Sequence, residues 1–532
     1  MNTSELPASR LRGLRPLARA NARSVPVGVW VLVALVVLAA VIRILTIDNQ
    51  SFWTDEALTA YEAHLPFGAM LNTVVHVETT PPLYFVLIWG WAHVFGTSEV
   101  ALRSVSTLAG IAIVPVAYLS ARELVSRSAG VLAAALVMVN PFMIWYAQEA
   151  RAYMLLAALT SASFLWFIRA RQDPSRRHLT WWAVFSSLAL MTHFFAGFAV
   201  APEAIWLLWR WRSRTVLYAV AVTGLVQAAM APFAFIDTSH GVGWIAAVPR
   251  TSRVAGASVE WAVSLLSRRA TIDEGLIGAA VFLTIIALLL GFAGDRRTRE
   301  GAGVAAVVAG SVILVPLALG FIGQDYFLSR NVIPAFVPLV TVAAAACVVP
   351  RARPLGGALA VILLAVFSVA ATEVQTHAYL QRPNWRAVAR ALGAAAVPRA
   401  ILAAGGTKAD PLKIYLPNVN WVQLHNRPVL IGEVVVVGAS KRLALASNSP
   451  RGAGPASPRA LVGSAVPRSI SPRGARLLTR FLVDNWIVAR FALDHRIRIS
   501  INGLLDIAPR FFRRTPRSLL VFVQQPDRHA RR

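Results

Sequence analysis

The stretch Val25-Pro26-Val27-Gly28-Val29-Trp30-Val31-Leu32-Val33-Ala34-Leu35-Val36-Val37-Leu38-Ala39-Ala40-Val41 contains no charged side chain, and neither does Val332–Val349. Uncharged apolar runs of about 17–25 residues match the hydrocarbon core of a bilayer. Inside lipid a helix satisfies its own backbone hydrogen bonds, so both runs are expected to be membrane helices. The whole chain follows suit: 57% of its residues are hydrophobic and 14% charged, against roughly 25% charged in soluble domains. Apolar runs recur at 26–46, 104–121, 129–147, 152–168, 179–193, 196–209, 216–236, 276–293, 302–322, 331–349 and 355–371. A twelfth, Pro81–Phe95, would be only about 23 Å long as a helix.

Charge decides how these runs thread. The net charge is +27 and the pI about 11.6, but the arginines sit in short links between apolar runs rather than on one soluble face. That argues against nucleic acid and for anionic lipid as the partner of the basic clusters. Arg122 and Arg127, Arg169 to Arg177, Arg210 to Arg214, Arg296 to Arg299, and Arg351 and Arg353 all fall on the cytoplasmic side only if Pro81–Phe95 lies along the outer face. Eleven spans follow, in the plasma (inner) membrane, with the N-terminus inside and the C-terminus outside. Arg10, Arg12, Arg15, Arg19 and Arg23 precede the first run, which lacks a small-residue cleavage site and is expected to be retained. The expected division is a basic N-terminus at 1–25, a membrane domain at 26–372 with a long first outer loop at 47–103, and an extracytoplasmic domain at 373–532.

Further outer segments are 148–151, 192–197, 237–275 and 323–330. The segment 237–275 carries Arg250, Arg253, Arg268 and Arg269, either tolerated in a longer loop or forming a landing surface for phosphorylated lipid. Past 373 the pattern changes to a short helix at Trp385–Leu392 and strand-like runs at 400–403, 413–416, 429–438 and 518–524, with a Ser, Pro, Arg and Gly-rich loop at Ser447–Arg473. A small α/β domain is expected. The single cysteine, Cys347, excludes a disulfide within the chain.

Chemistry-bearing residues gather in the outer segments. Ser51-Phe52-Trp53-Thr54-Asp55-Glu56-Ala57 places two carboxylates just beyond the first span. Adjacent helical residues point apart, so one can face a substrate while the other braces the loop or holds a cation. An acidic helix start is the plainer alternative. Glu78-Thr79-Thr80-Pro81-Pro82-Leu83-Tyr84-Phe85 marks a helix start at the Pro pair. Trp145-Tyr146-Ala147-Gln148-Glu149-Ala150-Arg151-Ala152-Tyr153 ends a span, and there Glu149 and Arg151 either pair with other side chains or act. His193 lies at an outer turn, Glu203 inside an apolar run, and Tyr326 and Arg330 at another outer end. An arginine at the interface grips phosphate well. Asp55, Glu56, Glu149, His193 and Arg330 thus share one compartment, which suits a reaction on a lipid-linked phosphate. A carboxylate takes the proton of an attacking hydroxyl while cations stabilise the leaving phosphate.

Phe52-Trp53-Thr54-Asp55-Glu56-Ala57, Pro81-Pro82-Leu83-Tyr84-Phe85 and Gln148-Glu149-Ala150-Arg151-Ala152-Tyr153 stand in order, with Phe95-Gly96-Thr97-Ser98-Glu99, Ala101-Leu102-Arg103 and Arg382-Pro383-Asn384-Trp385-Arg386 around them. Over roughly 27–392 the chain resembles the bacterial mannosyltransferase-like branch of the protein O-mannosyltransferase superfamily. The resemblance implies the GT-C fold and an inverting glycosyltransferase that takes its sugar from a polyprenyl-phosphate donor on the outer face. It implies Asp55 as base, with Glu56 and Glu149 as further catalytic acids. Arg330, Arg151 and Tyr326 become donor-phosphate ligands, and Tyr84 and His193 substrate contacts. Asn331 follows Arg330 where family members often have Tyr. A divalent cation is a candidate cofactor, with Glu78 and His193 as its candidate ligands; Glu78 sits one position off the acidic residue before the Pro pair in aminoarabinose transferases. The acceptor is a glycan, lipid or protein. The rival readings are a lipid or polysaccharide transporter or flippase, which would place charges near the midplane, and a non-catalytic envelope scaffold.

Overall fold

The computed structural model describes residues 27–78, 80–236, 245, 248–263, 272–377, 380–405, 409–416, 418–419, 428–439, 467–483, 486–512 and 518–526. The expected basic N-terminus, Arg268, Arg269 and most of the Ser447–Arg473 loop lie outside these residues. The chain is a helical membrane protein with a small sheet domain at its C-terminal end.

Helix α1 (Val27–Leu45) leads into three short helices, α2 (Thr54–His64), α3 (Phe67–Val77) and α4 (Leu83–Phe95). The bundle follows with α5 (Glu99–Leu124), α6 (Arg127–Val139), α7 (Pro141–Ala147), α8 (Ala152–Gln172), α9 (Arg176–Leu190), α10 (Ala196–Arg210) and α11 (Arg214–Ile236). It closes with α12 (Arg250–Val263), α13 (Ile272–Leu288), α14 (Arg296–Leu319), α15 (Phe336–Cys347) and α16 (Arg353–Thr376). Every expected span has a helix at its place. Among the described residues seven are long and apolar enough to cross a bilayer, or eight if α6 and α7 form one bent span. Helices α9 and α10, at 15 residues each, fall short of that length, as does α15 at 12. Pro81–Phe95 is helical, starting after the Pro pair, and short as expected.

Two ionisable side chains inside the bundle, Arg43 and Glu203, are held by hydrogen bonds to neighbouring helices. The 58° break between α6 and α7 falls at Asn140-Pro141. Proline there removes a backbone donor and leaves the last carbonyls of α6 without helical partners. Arg43 of α1, wholly buried, donates to two of them, Val137 O at 3.1 Å and Met138 O at 3.2 Å. Gly110 of α5 makes room for that guanidinium; a Cβ there would stand 3.2 Å from Arg43 Nε and 2.9 Å from the Ala147 methyl. Glu203, the acid inside α10, accepts from Ser163 Oγ at 2.7 Å and Trp182 Nε1 at 2.8 Å, both on neighbouring helices.

The C-terminal domain opens with α17 (Trp385–Leu392) and β1 (Arg399–Ala404), then α18 (Pro411–Tyr415), β2 (Val429–Ala439), β3 (Ala475–Val483), β4 (Trp486–Ile499), α19 (Ile501–Ile507) and β5 (Leu519–Gln524). The sheet runs β3-β4-β2-β1-β5, with β1 and β2 parallel and the other pairs antiparallel. One face packs on α17 and α18 through Trp385, Leu412, Val435 and Trp486, the other on α19 through Leu402, Val436, Phe491 and Leu504. Burial on both faces makes Ala400–Ala404 of β1 and Val434–Val437 of β2 unbroken apolar runs without alternation, as parallel strands in a covered sheet require. The expected strand at 413–416 is instead helical, as Pro411 starts a short helix after Asp410. Strands β3 and β4 were not foreseen, because Arg476, Arg480, Arg496 and Arg498 on exposed positions break up their hydrophobic signal.

Candidate active site

Glu56 is the hub on which the site is assembled. At the third position of α2 its carboxylate reaches back to the Trp53 N–H at 3.3 Å, the acidic half of a capping box. It is fully buried. Oε1 accepts from Arg103 Nε at 2.7 Å and from the Ala150 N–H at 2.8 Å, and Oε2 from Arg103 Nη2 at 2.7 Å and Arg382 Nη1 at 3.2 Å. Burial opposes its charge, yet Arg103 and then Arg382 hold its carboxyl below the ordinary value. One carboxylate thereby ties together the first loop, the start of α5, the link 148–151 and the segment leading into the C-terminal domain. The acidic pair after α1 and the Glu-Ala-Arg stretch after α7 meet at one end of the bundle.

A second buried pair lies beside the first. Arg151 grips Glu78 with both terminal nitrogens at 2.7 Å, and its Nη1 also reaches Thr59 Oγ1 at 3.2 Å and Asp55 O at 3.4 Å. Glu62, on the same helix as Thr59, is buried with neither carboxyl oxygen hydrogen-bonded among the described residues. Burial, and then the charge of Glu78, push that carboxyl up to about 9, so it is neutral at physiological pH. The pairs balance: Asp55, Glu56, Glu78 and Glu149 face Arg103, Arg151, Arg330 and Arg382. Charges held out of water persist when matched in this way.

Asp55 differs from the rest. Its side chain is 30% exposed, against 0% for Glu56, 3% for Glu78 and 2% for Glu149, and Arg330 Nη1 stands 3.8 Å from its Oδ2. Arg330 lies 5.3 Å from the Tyr153 ring and 5.9 Å from that of Trp53. Its loop is fastened from α12: Asp325 accepts from Arg253 at 2.6 and 2.7 Å and from Arg250 Nε at 3.0 Å. Trp261 Nε1 donates to Ser329 O at 3.3 Å, and the Ser329 hydroxyl donates to Glu260. Of the four arginines of segment 237–275, Arg250 and Arg253 thus hold the Arg330 loop, and Arg268 and Arg269 lie outside the described residues.

Glu149 is buried and paired with Arg382 Nη2 at 3.1 Å. Burial pushes its carboxyl above the ordinary value, with Arg382 working against that push. His193 also reaches the site, 5.9 Å ring to ring from Tyr153. Its Nδ1 accepts from the Phe195 N–H at 3.2 Å, which leaves the proton of the neutral ring on Nε2. Burial, and then Arg330 and Arg151, push the imidazolium down to about 3, so the ring is neutral.

Not every expected residue keeps its expected place. Glu56, expected as a catalytic acid, is sealed in and fully bonded, so it braces. Arg151, expected on the donor phosphate, is committed to Glu78. Tyr326 turns its hydroxyl to Gln324 at 2.8 Å and makes no described contact with Asp55 or Glu149. Tyr84 is buried with its hydroxyl unbonded among the described residues. A divalent cation does not fit the expected ligands: Arg151 neutralises Glu78, and His193 uses Nδ1 on the backbone. Among the described residues no group of three or more His, Cys, Asp or Glu could hold a metal ion. Sequence reasoning missed Arg103, Arg382 and Glu62 as site residues. The first two stand inside quoted motifs, as the charged residues of otherwise apolar or aromatic stretches, and that was the available signal.

Residues 79–234 match the family model described as dolichyl-phosphate-mannose-protein mannosyltransferase. Comparison with curated proteins gives no match. Among solved structures the chain is similar to ArnT from Cupriavidus metallidurans in the apo state, at 15% identity and a TM-score of 0.49 over 87% of this chain and 98% of that one. It is similar to the S. cerevisiae protein O-mannosyltransferase Pmt1-Pmt2 complex bound to the sugar donor, at 19% identity and a TM-score of 0.32 over 40% of this chain and 33% of that one. It is similar also to the Archaeoglobus fulgidus oligosaccharyltransferase in the apo form, at 12% identity and a TM-score of 0.39 over 68% of this chain and 57% of that one. The family match covers the stretch from Thr79, ahead of the Pro pair, to Ala234 in α11.

Proposed function

We propose that this protein is a membrane glycosyltransferase that moves a sugar from a polyprenyl-phosphate donor to an acceptor hydroxyl on the extracytoplasmic face, inverting the anomeric carbon, with Asp55 as general base. The observation that carries the reading is the contrast in exposure: of the four carboxylates in the charge-balanced set, Asp55 alone opens to solvent, and it does so beside Arg330.

In this reading the acceptor oxygen attacks the anomeric carbon while Asp55 takes its proton. The bond from that carbon to the phosphate oxygen breaks, and the polyprenyl phosphate leaves with the electron pair. Its added negative charge falls to Arg330, preorganised by its loop and by the rings of Tyr153 and Trp53. The long 3.8 Å approach of Arg330 to Asp55 suits two groups that face one substrate from either side. Displacement from the face opposite the phosphate inverts the centre. Glu149, paired with Arg382, adds a second acidic group near Asp55 and Arg330, and neutral His193 offers its Nε2 proton as a hydrogen bond to a sugar or phosphate oxygen.

Asp55→Asn tests the reading. With membranes and a panel of labelled undecaprenyl-phosphate hexoses and pentoses, the variant should lose transfer by about 10²–10⁴-fold, the weight of a general base. Labelled undecaprenyl phosphate should still bind, and the protein should insert normally. Near-normal turnover in Asp55→Asn would remove Asp55 from the mechanism. Label that crosses the membrane with no glycosidic product would favour the transporter reading.

A further inference from the structure

Arg382 belongs neither to the membrane helices nor to the sheet, but to the link between α16 and α17, just ahead of Trp385. It is buried all the same. Its guanidinium lies 4.7 Å from the Trp53 ring and 4.8 Å from the Trp145 ring, and bridges Glu56 at 3.2 Å and Glu149 at 3.1 Å. An arginine held by two indoles and two carboxylates has its direction fixed. The backbone around it is fixed too. Arg382 N–H donates to Gln50 Oε1 at 3.0 Å, Ser51 Oγ donates to Pro383 O at 2.8 Å, and Trp385 N–H donates to Ser51 Oγ at 3.0 Å.

The junction is in turn anchored to the sheet domain. Trp385 stacks on Trp486 of β4, ring centroids 4.5 Å apart, in the core beneath the sheet. Arg386 pairs with Glu99 at 2.8 Å and donates to Asp48 O at 2.6 Å. Tyr415, at the end of α18, donates to the same Glu99 and accepts from the Phe52 N–H at 2.7 Å. A continuous run of packed, hydrogen-bonded and ion-paired groups therefore leads from the sheet, through Trp385 and Arg382, to Glu149.

We infer that Arg382 is a positioning residue that orients Glu149 toward the transfer site, and that the C-terminal domain is a working part of that site because it holds the junction in place. The inference rests on the proposed sugar transfer for its kinetic part only. The pairing itself has a consequence without any substrate. When Arg382 is removed, Arg330 is left to oppose the effect of burial on Glu149, while Glu56 and Asp55 add to that effect. Its carboxyl in the folded protein then moves further above the unfolded value, the native state binds the extra proton, and stability falls as pH rises.

The experiment uses the full chain, in membranes for transfer and in detergent for melting, with Arg382→Met, Arg382→Lys, Glu149→Gln and the double variant Arg382→Met with Glu149→Gln. Transfer from the labelled undecaprenyl-phosphate sugars is followed against pH. Arg382→Met should lower kcat by about tenfold or more, the weight of a misplaced catalytic shell, while the donor KM changes by less than about threefold. The acid limb of its profile should move up by about one pH unit, as a carboxylate loses a facing cation. Arg382→Lys should recover part of both. In melting, the deficit of Arg382→Met should grow from pH 5 to pH 8, and Glu149→Gln in the same chain should abolish that growth.

A deficit that does not depend on pH, or a pH dependence that survives Glu149→Gln, overturns the pairing. An unmoved acid limb with an intact fold overturns the positioning role. A parallel loss of donor binding would make Arg382 a phosphate ligand and overturn it as well. Should Asp55→Asn transfer sugar normally, the proposed mechanism falls while the melting arm still decides the inference.

Discussion

Asp55 and Glu56 are neighbours in sequence, yet they open onto two regions of opposite character. Behind Glu56 lies a brace of buried, bidentate pairs, Glu56 with Arg103 and Glu78 with Arg151, each with contacts near 2.7 Å. In front of Asp55 lies a mouth, where Arg330 stands off at 3.8 Å and water reaches the carboxylate. The same residue types serve both, so identity alone does not separate structure from chemistry. Geometry does: the pairs of the brace are short and sealed, while that of the mouth is long and open. Breaking the brace should therefore be read in stability, and breaking the mouth in turnover.

The largest effect is expected from the brace. Glu56→Ala strands Arg103 and Arg382 in a buried site without their shared anion, and losing one partner of a buried pair costs about 3–5 kcal/mol. The detergent-solubilised variant should melt far below the parent and lose activity along with its fold. A shift of less than about 1 kcal/mol would show that the loop stands without this hub, contrary to the balance of charges around it.

Next comes the mouth. Arg330→Ala should raise the transfer barrier by about 2.7–4 kcal/mol, the worth of one preorganised group at a developing anion. Its melting point should stay close to that of the parent, because the loop keeps its Asp325, Ser329 and Trp261 contacts to α12. A variant that melts like Glu56→Ala would place Arg330 with the brace.

The membrane fold was legible because lipid imposes one rule, uncharged helical runs with basic links, and the sequence follows it from Val25 to Ala371. The first loop was legible in part. Asp55, Glu56, Glu149 and Arg330 stand out because charge at a span end needs a reason, but only coordinates separate Asp55 from Glu56. Arg382 lies more than 300 residues from Glu56 in the chain, and no local period reports such a pairing. Glu62 reads in sequence as one more polar residue of an ordinary helix. Strands β3 and β4 were hidden by the opposite fault, as exposed arginines interrupt the alternation expected of a half-buried strand.

Glu62 sharpens the comparison from within the brace, as the acid there that no cation pairs among the described contacts. Its folded carboxyl is pushed up to about 9, above an unfolded value near 4.3. The native state therefore holds a proton that the unfolded chain releases, so its contribution is full below about pH 4.3 and is lost as pH rises toward 9. Glu62→Gln, neutral at every pH, should melt close to the parent at pH 4.5 and clearly above it at pH 8. Equal melting at both values would mean that Glu62 is ionised in the fold and that the count of balanced charges is wrong by one.

The smallest effect separates two arginines on one carboxylate. Asp325 accepts from Arg253, which is buried, and from Arg250, whose side chain is 37% exposed. Both help hold the loop that delivers Arg330, but an exposed pair contributes little against solvent and side-chain entropy. Arg250→Ala should cost less than about 1 kcal/mol, with kcat within about twofold, since Arg253 still fixes Asp325 through both terminal nitrogens. Arg253→Ala should cost more, because it also gives up the 3.0 Å bond to Phe327 O and leaves Asp325 to the weaker partner. If the two variants prove equivalent, burial does not set the strength of these pairs, and the distinction between brace and mouth loses its physical basis.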